Sequence, residues 1–187
     1  MKDFTVYINE KLKITNKMLK QNQYDYHPES KKELIEIIKS EIDKNGWECD
    51  LNHIDVTQIT DMSYLFSSLT NGFGLGDFNG DISKWDVSKV TNMRAMFWGA
   101  KSFNQPIGDW KVSEVKNMKY MFYEVNSFNQ PIGDWDVSNV DYMESMFCLA
   151  KSFNQDLSNW EIKTTCNTNS MFISCPIEEK YKPKFNK

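Results

Sequence analysis

Apolar residues recur along this chain in two alternating rhythms. Met93, Met96, Phe97 and Ala100 follow the spacing i, i+3, i+4, i+7, which returns as Met118, Met121, Phe122, Val125 and as Met143, Met146, Phe147, Ala150. That spacing describes one face of a short helix. Phe103, Ile107 and Trp110 belong instead to an extended piece with turn residues between them. Pro106 and Pro131 keep that piece short, because each removes a ladder donor. The pattern predicts a unit built of a short strand, a corner around Asp-Val-Ser, one or two helical turns and a return loop.

The unit recurs every 25 residues, with Trp85, Trp110, Trp135 and Trp160 in one column and Phe97, Phe122, Phe147 and Phe172 in another. Units begin at Phe78, Phe103, Phe128 and Phe153, and SFNQPIGDW is spelled identically at 102–110 and 127–135. A more diverged copy starts at Trp47 and is six residues longer, the excess lying in TNGFGLG before Phe78. In the last copy Thr165 and Thr168 stand where the others have Val or Ile and Met, as expected of a terminal cap.

One unit offers about eight inward side chains worth at most ~2–3 kcal/mol each, against ordering costs of roughly 1.5 kcal/mol per residue. It cannot fold alone. Stacked copies share a core, so the expected fold is an α/β repeat solenoid of about five coils over 47–175, with short parallel strands and short helices. Asn79, Asn104, Asn129 and Asn154 read as a structural ladder in which stacked amides bond one another.

The first coil needs a lid. Residues 29–46 supply a capping helix: Ser30 and Glu33 form a capping box, Gly46 suits the stop, and Leu34, Ile35, Ile37, Ile38 and Ile42 make the apolar face. Residues 1–28 are a polar leader with a weak strand-like FTVYI at Phe4 to Ile8, and 176–187 a charged tail expected to be loose.

The units FNQPIGDWDVSNVDYMESMF and FNQDLSNWEI resemble the BspA-like leucine-rich-repeat surface proteins, whose repeats read FNQDISNWDVSNVTNMSYMF. The leader KKELIEIIKSEI and the first-coil stretch LNHIDVTQITDMSYLF resemble the helix and first coil of short bacterial members. The likeness spans about residues 26–175. It implies a leucine-rich-repeat-like solenoid and a role in surface display, adhesion and host or protein contacts. Adhesin-type members carry export or lipoprotein signals, which this chain does not show.

Composition narrows the chemistry. A net charge of −4 and a pI near 5.3 give no basic footprint for a phosphate backbone, so nucleic acid is not an expected partner. MKDFTVYINEKLKITNK interrupts with charge the apolar run of about 7–15 residues that a secretory signal needs. No stretch reaches the roughly 20 apolar residues of a membrane span. The expected location is the cytoplasm, or the cell surface if an export signal was removed. Cys49, Cys148, Cys166 and Cys175 form no CxxC pair and read as free thiols.

No enzyme is expected. His27 and His53 cannot build a triad or a multi-His metal site, and His53 shares its column with Lys84, Asp109, Asp134 and Asn159, a solvent-facing variable position. GFGLG at Gly72 to Gly76 lies between helix and strand in the wrong order for a phosphate loop. Two acidic columns, one with Asp55, Asp86, Asp136 and Glu161 interrupted by Lys111, the other with Asp109 and Asp134, suit either calcium or turn caps. Turn caps are the expected use, and no metal or cofactor is assigned.

Columns that vary between copies are free of the stacking constraint. They hold Tyr64, Trp98, Tyr120, Tyr123, Tyr142 and Leu149, the expected partner-binding residues. The function expected is non-enzymatic protein or host-surface binding by a monomer, the alternative an intracellular immunity or regulatory protein that binds a cognate partner.

Overall fold

The computed structural model describes residues 24–68 and 77–185. FTVYI and GFGLG lie outside the described residues. One α-helix, α1 (Lys31–Asn45), and one 3-10 turn, Glu179–Tyr181, are the regular helices among them. The repeats lie side by side and parallel, joined by single bridges from Asp61 to Asn92, Asn92 to Asn117, Asn117 to Tyr142 and Tyr142 to Asn167.

Within each repeat, the Met-x-x-Met-Phe segment is not the short helix its spacing predicts. It is a ribbon of overlapping turns. Met96, Trp98 and Ala100 N–H donate back three residues to Met93, Ala95 and Phe97 carbonyls at 3.2, 3.1 and 2.9 Å. The intervening N–H groups of Met93, Ala95, Phe97 and Gly99 donate to the carbonyls of Asn117, Lys119, Met121 and Tyr123 in the next repeat, at 2.8–3.0 Å. An α-helix would bond these donors internally and leave none for the neighbour. The ribbon requires left-handed residues, and they come in register: Tyr64, Ala95, Tyr120, Ser145 and Ser170 have φ between 53 and 60°. A positive φ at the third residue of a turn is the mark of type II. Gly99, Glu124, Leu149 and Ser174 repeat the feature four residues on, with φ of 55–69°.

The extended side of each repeat is bonded through side chains. Asn104, Asn129 and Asn154 N–H each donate, at 2.9 Å, to the Oδ1 of the Asn in the preceding repeat. The ladder thus runs from amide oxygen to backbone, not from amide to amide. Gln105, Gln130 and Gln155 add donors to the carbonyls of Asn79, Asn104 and Asn129. Each indole of the 25-residue Trp column reaches one repeat back: Trp85 to Leu51 O, Trp110 to Ile82 O, Trp135 to Ile107 O and Trp160 to Ile132 O, at 2.9–3.2 Å.

The core is two files of stacked rings. Phe66, Phe97, Phe122, Phe147 and Phe172 stack at centroid distances of 5.4–5.7 Å, with planes within 10°. Phe78, Phe103, Phe128 and Phe153 form the second file at 5.9–6.1 Å. The files touch where one repeat passes into the next, Phe66 on Phe78, Phe97 on Phe103, Phe122 on Phe128 and Phe147 on Phe153, at centroid distances of 4.0–4.2 Å. The SFNQPIGDW copies follow from this: neighbours in contact along every column need the same side chains.

α1 closes the first repeat. Ser30 Oγ accepts from Glu33 N–H, Gly46 at φ 84° donates its N–H to Ile42 O, and Leu34, Ile38 and Ile42 enter the core while Ile35 and Ile37 pack on it half-covered. Glu41 is also buried, and it receives Tyr26 Oη at 2.9 Å, Lys44 Nζ at 3.2 Å and Asn45 Nδ2 at 3.1 Å, with His53 Nε2 at 3.5 Å. His53 is therefore not the solvent-facing position its column predicts; its neighbour is a helix rather than another repeat. The leader joins this end too, because Tyr26 bridges Ile54. At the other end the described tail residues, 176–185, are docked rather than loose. Ile177 is buried, Glu178 N–H takes Asn154 Oδ1, and Tyr181 O accepts from Leu157 N–H.

Replacing Trp110 by Ala removes a ring only 3 % exposed together with its indole bond, and should cost about 3–5 kcal/mol in urea unfolding; an unchanged midpoint would refute its place in the core. Burial raises the pKa of Glu41, but the hydrogen bonds from Tyr26 and Lys44, with the charges of Lys44 and His53, outweigh it and hold the carboxyl below its usual value. A depressed carboxyl pKa contributes stability above the unfolded pKa of about 4.3 and loses it as pH falls through the folded value. Stability should drop in that acidic window, and Glu41→Gln should flatten part of the drop; identical pH slopes for both proteins would contradict the assignment.

Candidate functional site

The outward columns of the turn ribbon meet in one place. Trp98 lies between two tyrosines of the next repeat, its ring 4.9 Å from Tyr120 and 4.8 Å from Tyr123, tilted by 46 and 49°. Tyr120 and Tyr123 touch edge-to-face at 5.8 Å. All three are half-buried, one side on the protein and the other in solvent. Their place follows from the ribbon: the left-handed turn residue Tyr120 and the position three further on project outward from the same repeat.

Charge flanks the rings. Lys119 Nζ sits 4.9 Å from the Tyr120 centroid and 2.6 Å from Glu144 Oε2, and Asn167 Nδ2 donates to the same carboxylate at 3.3 Å. Burial raises the pKa of the Tyr123 phenol, with Cys148, Glu124 and Tyr120 adding to it. Cys148, buried beside the ridge, has its thiol pKa pushed up by burial and then by Glu124, so it stays a neutral thiol rather than a nucleophile.

Of the six residues expected at a partner surface, the structure brings Trp98, Tyr120 and Tyr123 together. Tyr64 lies one repeat back, with the Arg94 guanidinium 5.7 Å from its ring centroid. Leu149 lies one repeat on, half-buried at φ 62°. Tyr142 is 51 % exposed and stands apart, in the bridging column of Asn92, Asn117 and Asn167. Lys119 and Glu144 were not among the expected residues. Their signal was present, since Arg94, Lys119, Glu144 and Asn169 share one column.

The first acidic column serves turns at three of its positions. Asp55, Asp86 and Asp136 accept the N–H two residues on, from Thr57, Ser88 and Ser138. A shallow depression of about 740 Å³ lies over Asp109, Lys111, Asp134, Asp136 and Asp156, where Asp156 likewise caps Ser158. No group of three or more His, Cys, Asp or Glu placed to hold a metal occurs among the described residues. His27 Nδ1 is 3.3 Å from Asp55 Oδ2. No helix among the described residues is long and apolar enough to cross a membrane.

The family described as Mycoplasma protein of unknown function, DUF285, matches residues 32–107 and again 67–183. The chain belongs to this family. The two DUF285 matches overlap across the second repeat and together run from α1 into the tail. The aromatic ridge falls on both sides of the boundary of the first match, with Trp98 inside it and Tyr120 and Tyr123 beyond. No curated protein and no solved structure matches the chain significantly.

Proposed function

We propose that this chain is a non-enzymatic, protein-binding repeat array, a BspA-like solenoid of the leucine-rich-repeat kind, which offers the Trp98, Tyr120 and Tyr123 ridge to a macromolecular partner. The observation that carries the reading is where these rings sit. Their columns hold Ala95, Ser145 and Ser170 on one side and Cys148 and Ile173 on the other, so stacking does not require an aromatic at either place. Half-exposed Trp and Tyr held against one another bury large area at small entropic cost. The frame beneath them is bonded repeat to repeat, which spares the ordering cost of association. The Lys119–Glu144 pair and Arg94 supply a polar rim.

The test uses a partner captured from the native organism and then purified. The double variant Trp98→Ser, Tyr123→Ser should keep a cooperative melt and lose at least about 30-fold in affinity by calorimetry, the size expected for one hot-spot residue of roughly 2 kcal/mol. Unaltered affinity would remove the ridge from the interface, and loss of the cooperative melt would make the rings part of the core instead.

A further inference from the structure

The turn ribbon hands backbone donors in one direction only, from each repeat to the next. Met118, Tyr120, Phe122 and Glu124 donate to Tyr142, Glu144, Met146 and Cys148, and Met143, Ser145, Phe147 and Leu149 donate to Asn167, Asn169, Met171 and Ile173. In the fifth repeat the corresponding donors are Thr168, Ser170, Phe172 and Ser174, and among the described residues none has an acceptor. The described part of the tail, to Phe185, does not supply one. Its contacts, Glu178 with Asn154 and Tyr181 with Leu157, close the extended side of the repeat and leave the turn side open.

The side chains agree with the backbone. Phe66, Phe97, Phe122 and Phe147 are fully buried, whereas Phe172, stacked on Phe147 at 5.7 Å, is only partly covered. Ile173 is 53 % exposed, although Cys148 in the same column is 8 % exposed. The edge therefore carries a row of donors at every second residue, a ring with an unstacked face and an uncovered aliphatic side chain. It lacks one thing that every other repeat has, a following turn segment.

We infer that the open turn edge of the fifth repeat docks a turn segment of the same repeat type, supplied by another chain. The ligand must bring free carbonyls at alternate residues in the turn-ribbon spacing, a Phe to stack on Phe172 and an apolar side chain to cover Ile173. This is edge addition as in β-augmentation, with a turn ribbon in place of a strand. A second copy of this chain does not fit. Its fifth repeat carries the same donors, and its first is closed by α1, with Met62, Leu65 and Phe66 buried and Lys31 Nζ bonded to Ser63 at 2.7 Å. The partner is a repeat array whose first coil has no helical lid.

The probe is a capped peptide of the chain's own sequence 115–125, VKNMKYMFYEV, added to the isotopically labelled full chain and followed by NMR. The amides of Thr168, Ser170, Phe172 and Ser174 should shift saturably and exchange more slowly, while those of Met93 and Phe97, already bonded, should not respond. The peptide carrying Phe122→Ala, and separately the chain carrying Ile173→Asp, should each weaken binding by about tenfold. Ile173 is exposed, so that variant should melt as the parent does. Silence of the four amides at saturating peptide, equal protection by a scrambled peptide, or a response confined to Trp98 and Tyr123 would each overturn the proposal.

Discussion

The structure depends on a backbone that can satisfy only half of its donors by itself. In the ribbon from Met93 to Ala100, alternate N–H groups close turns within the repeat and the others must find carbonyls in the next. A buried donor left without an acceptor costs about 1–3 kcal/mol, so each repeat is unfinished until its neighbour is in register. The ring files impose the same spacing from inside, because Phe97 stacks on both Phe66 and Phe122 at 5.5 Å. A change of period would break the backbone ladder and the aromatic file together. This double constraint is why the Trp and Phe columns run without a slip.

The ribbon also explains where periodicity misleads. Met, Met, Phe and Ala at i, i+3, i+4, i+7 bury one face equally well as a helix or as a chain of three-residue turns, so the inward residues were legible and their backbone was not. The hidden variable is the left-handed column. Gly99 alone advertises it, while Glu124, Leu149 and Ser174 occupy the same conformation and disguise it. A non-glycine residue there costs of order 1 kcal/mol or more, a strain the bonds to the following repeat offset. The Asn column forms a ladder because it stacks at the repeat period, but each amide oxygen meets a backbone N–H rather than another amide, since that group too needs an acceptor at this corner.

Repeat logic fails at the ends for one reason. A column predicts a residue's surroundings only where the neighbour is another repeat. His53 sits against Glu41 of α1, and Leu157 against Tyr181 of the tail, so neither environment could be read from the copies. The two closures are unequal in consequence. α1 brings an apolar face and covers the first repeat, whereas the tail brings a short segment with Ile177 buried and reaches one side only.

On the outer surface the same constraint leaves freedom, and the residues found there use it unevenly. Arg94 and Lys119 stand in one column on adjacent repeats, an arrangement that repels unless each cation has somewhere else to go. Arg94 lies over Tyr64 and Lys119 lies over Tyr120 while pairing with Glu144, so each cation has its own local partner, a ring for the first and a ring with a carboxylate for the second. Tyr64 and Tyr120 themselves occupy left-handed backbone where Ala95, Ser145 and Ser170 serve equally well in the other repeats. Folding therefore does not demand their bulk, nor that of Trp98 beside them. Two tyrosines at left-handed positions, on a frame that small residues satisfy, are thus placed by no requirement of the inner face, and the same freedom extends to Trp98.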